Sequence, residues 1–535
     1  MTDTADPRQA VRPTAGAGPL RVHSLSDPAF AALGAGRPDA AALAELRRAQ
    51  LSRHLLLLRE IVTTAPLLGY AELAAAEREE PERVRALLAR PLVGVWATRY
   101  LSALRAGATP DEASTGYLAR LATEAGLSPE PAPAAAGRGG VADRGGRVPG
   151  QRSGSVAGAA RRLTAVHGGL SISVRIEDRD PLRAGLGLTP AATLTDAELA
   201  RWQGLLTEAW RLLVDRLRPD AEVLATVLDC IVPVEPDPAA RGISATSVDA
   251  FGAVAMSEPA DATALAVGLL HETQHSLLNA VQYLFDLHEQ PDAPGYSPWR
   301  DDPRPASGIL HGAYAYLTVT RFWRQTAGDR LAAFEFARWR AAVLHAAEGL
   351  LAGGTLTAAG TRFVSALRAE VRPWLDEPVP ADVARLAAGA NADHHLRWRL
   401  RNLHVDPRDA GLLADAWRQR RPAPGVVAEL RPAPRRALEA SSRLDLVHAT
   451  LAGRPVSGRG AEGDLDYVRG AEDAALRAYR KRVVLDPADD AAWAGLALSG
   501  GGAALRGTPE VVAALYRTLR DPSADPLALA RWISS

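Results

Sequence analysis

The stretch that decides the fold is DATALAVGLLHETQHSLLNAVQYLFDLH, residues 261–288. Its apolar residues recur at helical spacing, which predicts one long helix. Within it, His271, Glu272 and His275 form the pattern H-E-x-x-H. Residues four apart lie about one turn apart on the same helix face, so both imidazoles can reach one metal ion. Glu272 lies one position further round, where it can reach a metal-bound water or orient a ligand.

The same letters could also be two helix-surface histidines beside an ordinary glutamate. We favour a metal site because the pattern arises by chance in roughly one or two per cent of chains of this length. A metal site also needs a third protein ligand and open positions for reactants. His311 is the best candidate, because it lies on a second predicted helix, residues 306–325, that returns across a loop.

The third ligand has alternatives. His311 could instead be a buried histidine at a helix interface. Four carboxylates of the intervening chain could replace it as ligands, namely Asp286, Glu289, Asp301 and Asp302. Asp301 and Asp302 could equally cap the second helix or pair with arginine.

The loop before the second helix carries charged side chains between Pro298 and Pro305. Because proline stiffens the backbone, Arg300 and Arg304 are held in fixed directions. A guanidinium held in this way can bind a small carboxylate through two parallel hydrogen bonds. A surface cluster of salt bridges is an equally good interpretation of this loop.

Two chemistries fit the histidine pattern. In a zinc peptidase, the metal polarises the scissile carbonyl and Glu272 deprotonates the attacking water. In a non-haem iron oxygenase, three protein ligands occupy one face and leave room for 2-oxoglutarate and O₂. Arg300 or Arg304 could then hold the distal carboxylate of 2-oxoglutarate. A predicted strand at 250–258 suits either chemistry, since its edge could pair with an extended peptide.

Composition narrows the class of protein further. Lys+Arg and Asp+Glu both number 62, and the resulting zero formal charge argues against a nucleic-acid partner. Cys230 is the only cysteine, which excludes intrachain disulfides and Fe–S clusters held by this chain alone. We see no signal peptide and no stretch of about 20 uncharged apolar residues, so we expect a cytoplasmic protein without a membrane partner.

The expected fold class is α+β and predominantly helical, with a zincin-like metal-helix core, a small sheet, and helical regions on both sides. Strands are predicted at 169–178, 228–236 and 250–258, and a helix at 195–217 whose capping box is Thr195 and Glu198. The predicted divisions are a disordered tail (1–20), an N-terminal helical region (21–127), a linker or mobile loop (128–158), the H-E-x-x-H core domain (159–425) and a C-terminal helical region (426–535).

Two further segments carry weaker signals. Residues 472–500 resemble a single tetratricopeptide-like helical hairpin, although a generic helical packing domain fits the same pattern. His394 and His395 precede several arginines on a predicted helix. They could line the site or, as we prefer, belong to a surface between domains.

The motif, the loop YSPWRDDPRPASGILHGAYAYL (296–317) and the second histidine occur in this order within residues 261–326. In this respect the chain resembles the HExxH-motif peptide-modification proteins, also described as α-ketoglutarate-dependent HExxH-type peptide β-hydroxylases. These proteins belong to biosynthetic clusters for ribosomally made, modified peptides. Residues 391–402 and 23–33 look similar to the family as well.

The resemblance implies an Fe(II)- and 2-oxoglutarate-dependent dioxygenase that hydroxylates a β-carbon in a precursor peptide. It implies His271, His275 and His311 as iron ligands, and Glu272 as a residue that orients a ligand or water. A three-histidine set departs from the usual two-histidine, one-carboxylate triad. Any radical-SAM maturase would be a separate protein, since one cysteine cannot hold its cluster. A zinc peptidase and a non-enzymatic helical interaction protein with a degenerate site remain the alternatives.

Overall fold

A computed structural model describes residues 23–124, 161–238, 242–289, 294–326, 328–431, 441–455 and 462–535. The protein is predominantly helical with a small mixed sheet, which confirms the α+β prediction at that level. The predicted tail at 1–20 and the predicted linker at 128–158 lie outside the described residues. Within the described part of the chain, every helix is too short or too polar to cross a membrane.

Seven helices form the N-terminal region, as the apolar spacing over residues 26–126 predicts. They are α1 (Asp27–Gly34), α2 (Ala40–Thr64), α3 (Tyr70–Glu79), α4 (Pro81–Leu88), α5 (Pro91–Arg105), α6 (Glu112–Thr115) and α7 (Tyr117–Glu124). The N-terminal ends of α1 and α2 are capped by Ser26 and Asp39, whose side chains accept backbone N–H groups of the first turn. Trp96 and Tyr117 are fully buried and stack on each other in the core of this region.

The sheet follows in the chain and has the strand order β1-β2-β3-β5-β4. Its strands are β1 (Arg162–His167), β2 (Leu170–Ile176), β3 (Cys230–Pro233), β4 (Ser244–Ala245) and β5 (Ala253–Met256). β2, β3 and β5 run parallel, whereas β1 and β4 are antiparallel to their neighbours. The three predicted strands are confirmed as β2, β3 and β5. The expectation that the edge of the strand at 250–258 could pair with an extended peptide is wrong, because β4 already pairs with that side of β5.

Three helices cover this sheet. They are α8 (Asp196–Arg216), α9 (Arg218–Val227) and α10 (Ala262–Leu284). α8 begins with the predicted capping box of Thr195 and Glu198. α10 carries the H-E-x-x-H pattern and begins at the cap Asp261, but it ends at Leu284 rather than near His288. It ends early because the backbone is extended at Phe285, after which His288 pairs with Leu356 of a later loop.

The predicted second helix is confirmed as α11 (Ala306–Arg324), and it packs against α10. The remainder of this region consists of α12 (Arg330–Ala352), α13 (Ala358–Val371), α14 (Ala381–Asn402), β6 (Leu403–His404), α15 (Pro407–Arg418) and β7 (Glu429–Leu430), with 3-10 turns at Arg183–Leu186 and Arg372–Asp376. α12 packs on both α11 and α14. A buried layer between α10, α11 and α13 includes Leu277, Tyr314 and Phe363.

The C-terminal helices pack on α14 and α15. They are α16 (Ser442–Leu451), α17 (Asp464–Val468), α18 (Glu472–Leu485), α19 (Asp490–Leu498), α20 (Gly502–Gly507), α21 (Pro509–Leu519) and α22 (Pro526–Ile533). α18 and α19 form the predicted helical hairpin around Tyr479 and Trp493. Arg443 of α16 forms buried ion pairs with Asp393 of α14 and Asp464 of α17. This cluster joins the C-terminal helices to the helix that faces α12.

Candidate metal centre

His271 and His275 face each other on α10, one turn apart. Their Nε2 atoms are 3.1 Å apart, and the two rings meet edge to face. With metal–nitrogen distances of about 2.0–2.1 Å, two nitrogens bound to one ion lie roughly 3 to 3.5 Å apart. The two side chains therefore already have a separation that suits a shared ion.

His311 of α11 lies beside the same pair but faces a different atom. Its Nδ1 is 3.3 Å from Nδ1 of His275, while Nε2 of His275 faces His271. The three rings therefore form a row with His275 in the middle. One ion can receive nitrogens from all three only if the ring of His311 turns toward Nε2 of His275.

Gln282, two turns after His275 on α10, sets the tautomer of His311. Its Oε1 lies 2.9 Å from Nε2 of His311, so this nitrogen carries the proton and donates it. The lone pair of His311 is then on Nδ1, the atom that faces His275. Metal-binding histidines commonly have such a residue, which hydrogen-bonds the ring nitrogen that does not bind the metal and so fixes the tautomer.

Glu272 is buried, with 2% of its surface exposed, and points toward the sheet. Its Oε1 accepts from Ser244 Oγ at 2.7 Å and its Oε2 from Thr246 Oγ1 at 3.1 Å. Its Oε1 also lies 4.0 Å from Nε2 of His271. Among the described residues, a group of three potential ligands within 4.8 Å of one another comprises His271, Glu272 and His275.

Burial keeps the three histidines neutral. It lowers the pKa of His271 and, more strongly, that of His275, where the charges of the neighbouring histidines act in the same direction. Burial, with His288 and Arg304 nearby, lowers the pKa of His311 to about 4. A neutral imidazole has a free lone pair, so all three side chains are in the form that binds metal at pH 7.

Two aromatic side chains form a wall of the centre. Tyr316, on α11, meets the ring of His271 edge to face, with the ring centroids 5.3 Å apart. The indole of Trp299 stacks on the ring of Tyr316, also with centroids 5.3 Å apart. Trp299 fits into α11 at Gly312, where a Cβ atom would coincide with the indole ring. Gly312 therefore allows the loop to lie against the helix that carries His311.

The predicted co-substrate residues Arg300 and Arg304 lie on the loop, and both contact Asp302. Asp302 accepts from Arg300 Nε at 2.9 Å and from Arg304 Nη1 at 3.3 Å. Burial favours the neutral acid, but these two arginines outweigh it and lower the pKa of Asp302. A carboxylate ligand for either arginine would compete with Asp302.

The alternative ligand Asp301 points away from the histidine row. Its carboxylate is 3.6 Å from His394 Nε2 and 3.8 Å from Arg401 Nη1. His394 is buried, with Tyr296 and Asp301 of the loop beside it. His395 lies beside it and contacts the ring of Tyr296.

Several residues of the centre carry no strong signal in the sequence. Gln282 could have been found, since it lies seven positions after His275 on the same helix face. Ser244 and Thr246 belong to a two-residue strand and its continuation, which no periodicity marks. Tyr316 joins the site only because α11 packs on α10.

Neither the protein-family models nor the curated proteins with which the sequence was compared match this chain. Function is therefore inferred from the side chains and their geometry. The resemblance to the peptide β-hydroxylases stays an expectation based on the motif, the loop and the second histidine.

Proposed function

We propose that this chain is a cytoplasmic Fe(II)- and 2-oxoglutarate-dependent dioxygenase that hydroxylates a β-carbon in a ribosomally made precursor peptide. The observation that carries the proposal is the row of three partly buried, neutral histidines from α10 and α11. The Nε2 atoms of His271 and His275 lie 3.1 Å apart, as for a shared ion, and His311 lies beside them with its Nδ1 3.3 Å from Nδ1 of His275. Metal sites that leave reactant positions open are built from such sets of three protein ligands.

In the proposed holoenzyme, His271 and His275 would hold the metal through their Nε2 atoms, and His311 would complete the set if its ring turned toward them. Gln282 keeps the proton of His311 on Nε2 and so leaves Nδ1 free to bind. When bound, Fe(II) supplies the redox chemistry that couples O₂ and 2-oxoglutarate to hydroxylation of a C–H bond. Tyr316 and Trp299 shield this side of the centre from water.

Glu272 has an orienting role in this proposal. Both of its carboxylate oxygens accept hydrogen bonds from hydroxyl groups of the β4 segment. A water-activating base needs an oxygen directed at the water that it deprotonates. The two hydroxyl contacts hold the carboxylate against the sheet, next to His271, where it can orient a ligand or a bound water, and they leave lone pairs on both oxygens.

A zinc peptidase is the second candidate. The grouping of His271, Glu272 and His275 favours it, because a peptidase needs this glutamate within reach of the metal-bound water. A helix that carries the motif beneath a mixed sheet also suits a zincin-like core. The short strand β4 at the edge of the sheet lies beside Glu272 and could pair with an extended peptide.

Metal exchange separates the two candidates. Metal-free protein is supplied with Fe(II) or Zn(II), together with 2-oxoglutarate, air and candidate precursor peptides, and the peptide masses are followed. We expect a mass gain of one oxygen atom with Fe(II) and no reaction with Zn(II). Cleavage of the peptide with Zn(II), independent of 2-oxoglutarate, would replace the proposal with the peptidase.

A further inference from the structure

A small cavity lies on the far side of Tyr316 from the histidines. Its volume is about 160 Å³, and α11, α12, α14 and α16 contribute to its walls. Trp299, Tyr316 and Trp339 form an aromatic part of the lining, and Arg338 and His394 are among its polar residues. Since one water occupies about 30 Å³ of liquid, the cavity has room for about five waters. It can hold a small acid or a single side chain, but not a folded peptide.

Arg338 differs from the other charged residues of this cavity in its lack of a direct ion pair among the described residues. It is only 8% exposed, its Nε–H has no hydrogen-bond acceptor, and among the described residues no carboxylate forms an ion pair with it. The charge of Glu335 acts on Arg338, but its carboxylate is hydrogen-bonded to His448 at 2.8 Å. The face of Trp339, 4.2 Å from the guanidinium carbon, offers a weaker cation–π contact.

The other arginines of the lining, the partly buried Arg397 and the buried Arg443, are matched by acids. Arg397 Nε lies 3.2 Å from Asp393, and Arg443 pairs with both Asp393 and Asp464. A buried cation without a counter-ion is costly, so each of these pairs stabilises the fold against a desolvation penalty. Arg338 has the charge of Glu335 nearby but no direct ion pair of this kind within the described chain, which leaves its guanidinium able to contact a bound anion.

His394 adds a second donor to the same cavity. It is 7% exposed, and its Nε2 has no hydrogen-bond partner in the described part of the chain, the nearby Asp301 being 3.6 Å away. The hydroxyl of Tyr296 lies 3.0 Å from Nδ1 of His394, and in the tautomer in which it donates to that nitrogen the ring proton is on Nε2. In that tautomer the cavity contains a guanidinium and a ring N–H as donors, beside the carboxylate of Asp301.

We propose that this cavity binds a small carboxylate and that Arg338 is its anchor. A guanidinium can hold a carboxylate through two parallel hydrogen bonds, and the buried setting strengthens them. Tyr316 is a common wall of the cavity and the metal centre, because it lines the cavity and its ring lies 5.3 Å from that of His271. If the acid is the keto-acid co-substrate, a point that rests on the proposed function, Tyr316 must move aside for the keto acid to reach the metal while Arg338 anchors the distal carboxylate in place of Arg300 or Arg304.

Calorimetric titration of the whole, metal-free chain tests the proposal without any turnover. One titrant is 2-oxoglutarate, and the other is N-acetylglutamate amide, which represents an acidic side chain of a peptide. We expect at least one to bind, and Arg338→Gln to weaken that binding roughly tenfold to a hundredfold through loss of a charge-assisted contact. Arg338→Lys keeps the charge but not the two-pronged geometry, and should bind with intermediate affinity.

Arg340→Lys is the matched control. Arg340 lies two positions along the same helix with similar burial, but it donates to the carbonyl oxygens of Trp374 and Glu377. It should leave the affinity unchanged. If 2-oxoglutarate binds more tightly than N-acetylglutamate amide, the carboxylate comes from the co-substrate. If N-acetylglutamate amide binds more tightly, it comes from an acidic side chain of the peptide. No binding of either acid at millimolar concentration, or equal affinity in Arg338→Gln and the native chain, would overturn the proposal.

Because this binding needs neither metal nor peptide, it is independent of the hydroxylation test. A protein that binds acid through Arg338 but hydroxylates nothing would refute the proposed reaction and keep the carboxylate site. A hydroxylase in which the affinity for neither acid depends on Arg338 would keep the proposed reaction and refute the carboxylate site.

Discussion

His311→Ala tests the third metal ligand. Four-ligand structural zinc sites are worth about 10–16 kcal/mol, or roughly 3 kcal/mol for each ligand. Since about 1.4 kcal/mol corresponds to a tenfold change in affinity, loss of one ligand should weaken metal binding roughly 100- to 1000-fold. The expectation depends on Nδ1 of His311, which Gln282 leaves with its lone pair and which lies 3.3 Å from Nδ1 of His275, one ring turn from the shared position.

The assay is competition for Zn(II) or Co(II) against a chromogenic chelator, with His404→Ala as a control histidine that is exposed on β6. The visible spectrum of the Co(II) protein should also change, because a water replaces the imidazole. A loss of less than tenfold with an unaltered Co(II) spectrum would refute the reasoning. His311 would then act only as the acceptor that orients His275, in the row that the structure shows.

Three further expectations follow from the same geometry. Glu272→Gln should lower metal affinity about 10- to 100-fold and leave hydroxylation measurable; abolished turnover with intact metal affinity would instead identify a water-activating base. Gly312→Ala should lower the free energy of unfolding by about 1–3 kcal/mol, because the new methyl group displaces Trp299 from α11; denaturant unfolding measures this, and unchanged stability would contradict the packing. Burial lowers the pKa of His394 from 6.5 to about 3, so as the pH falls below 6.5 the unfolded chain takes up this proton first and stability is lost. The loss at pH 5 is about 2 kcal/mol for this group. Between pH 7 and pH 5, the free energy of unfolding of His394→Asn should therefore fall by about 2 kcal/mol less than that of the native chain, as measured by paired unfolding curves. Equal falls in the free energy of unfolding would show that His394 is protonated in the folded protein.

The parts of the fold that depend on local pattern could be predicted from the sequence. The capping box at Thr195 and the spacing of His271 and His275 involve residues within one turn of each other, and the structure has both on helices. The order of motif, loop and second helix was enough to bring His311 to the same place. The orientation of its ring was not predictable, since Gln282 and His275 determine it through tertiary contacts.

Features that depend on distant residues could not be predicted. α10 ends at Leu284 because the following segment pairs with residues near Leu356, far along the chain. Strand β4 has two residues, too few for any alternation, yet it occupies the edge that β5 was expected to offer. Arg338 belongs to the helical stretch RLAAFEFARWRAAVLHAAEGLLA of α12, where nothing in the pattern distinguishes it from the paired Arg340.

The most direct test of the central claim traces the oxygen atoms. Fe(II)-loaded protein is allowed to turn over 2-oxoglutarate and a precursor peptide under ¹⁸O₂, and both products are weighed by mass spectrometry. A dioxygenase places one labelled atom on the β-carbon of the peptide and one in succinate, in equal amounts, and His271→Ala forms neither product. Cleaved peptide whose new carboxylate takes its oxygen from water, with no succinate, would contradict the hydroxylase and make this histidine row a hydrolytic centre.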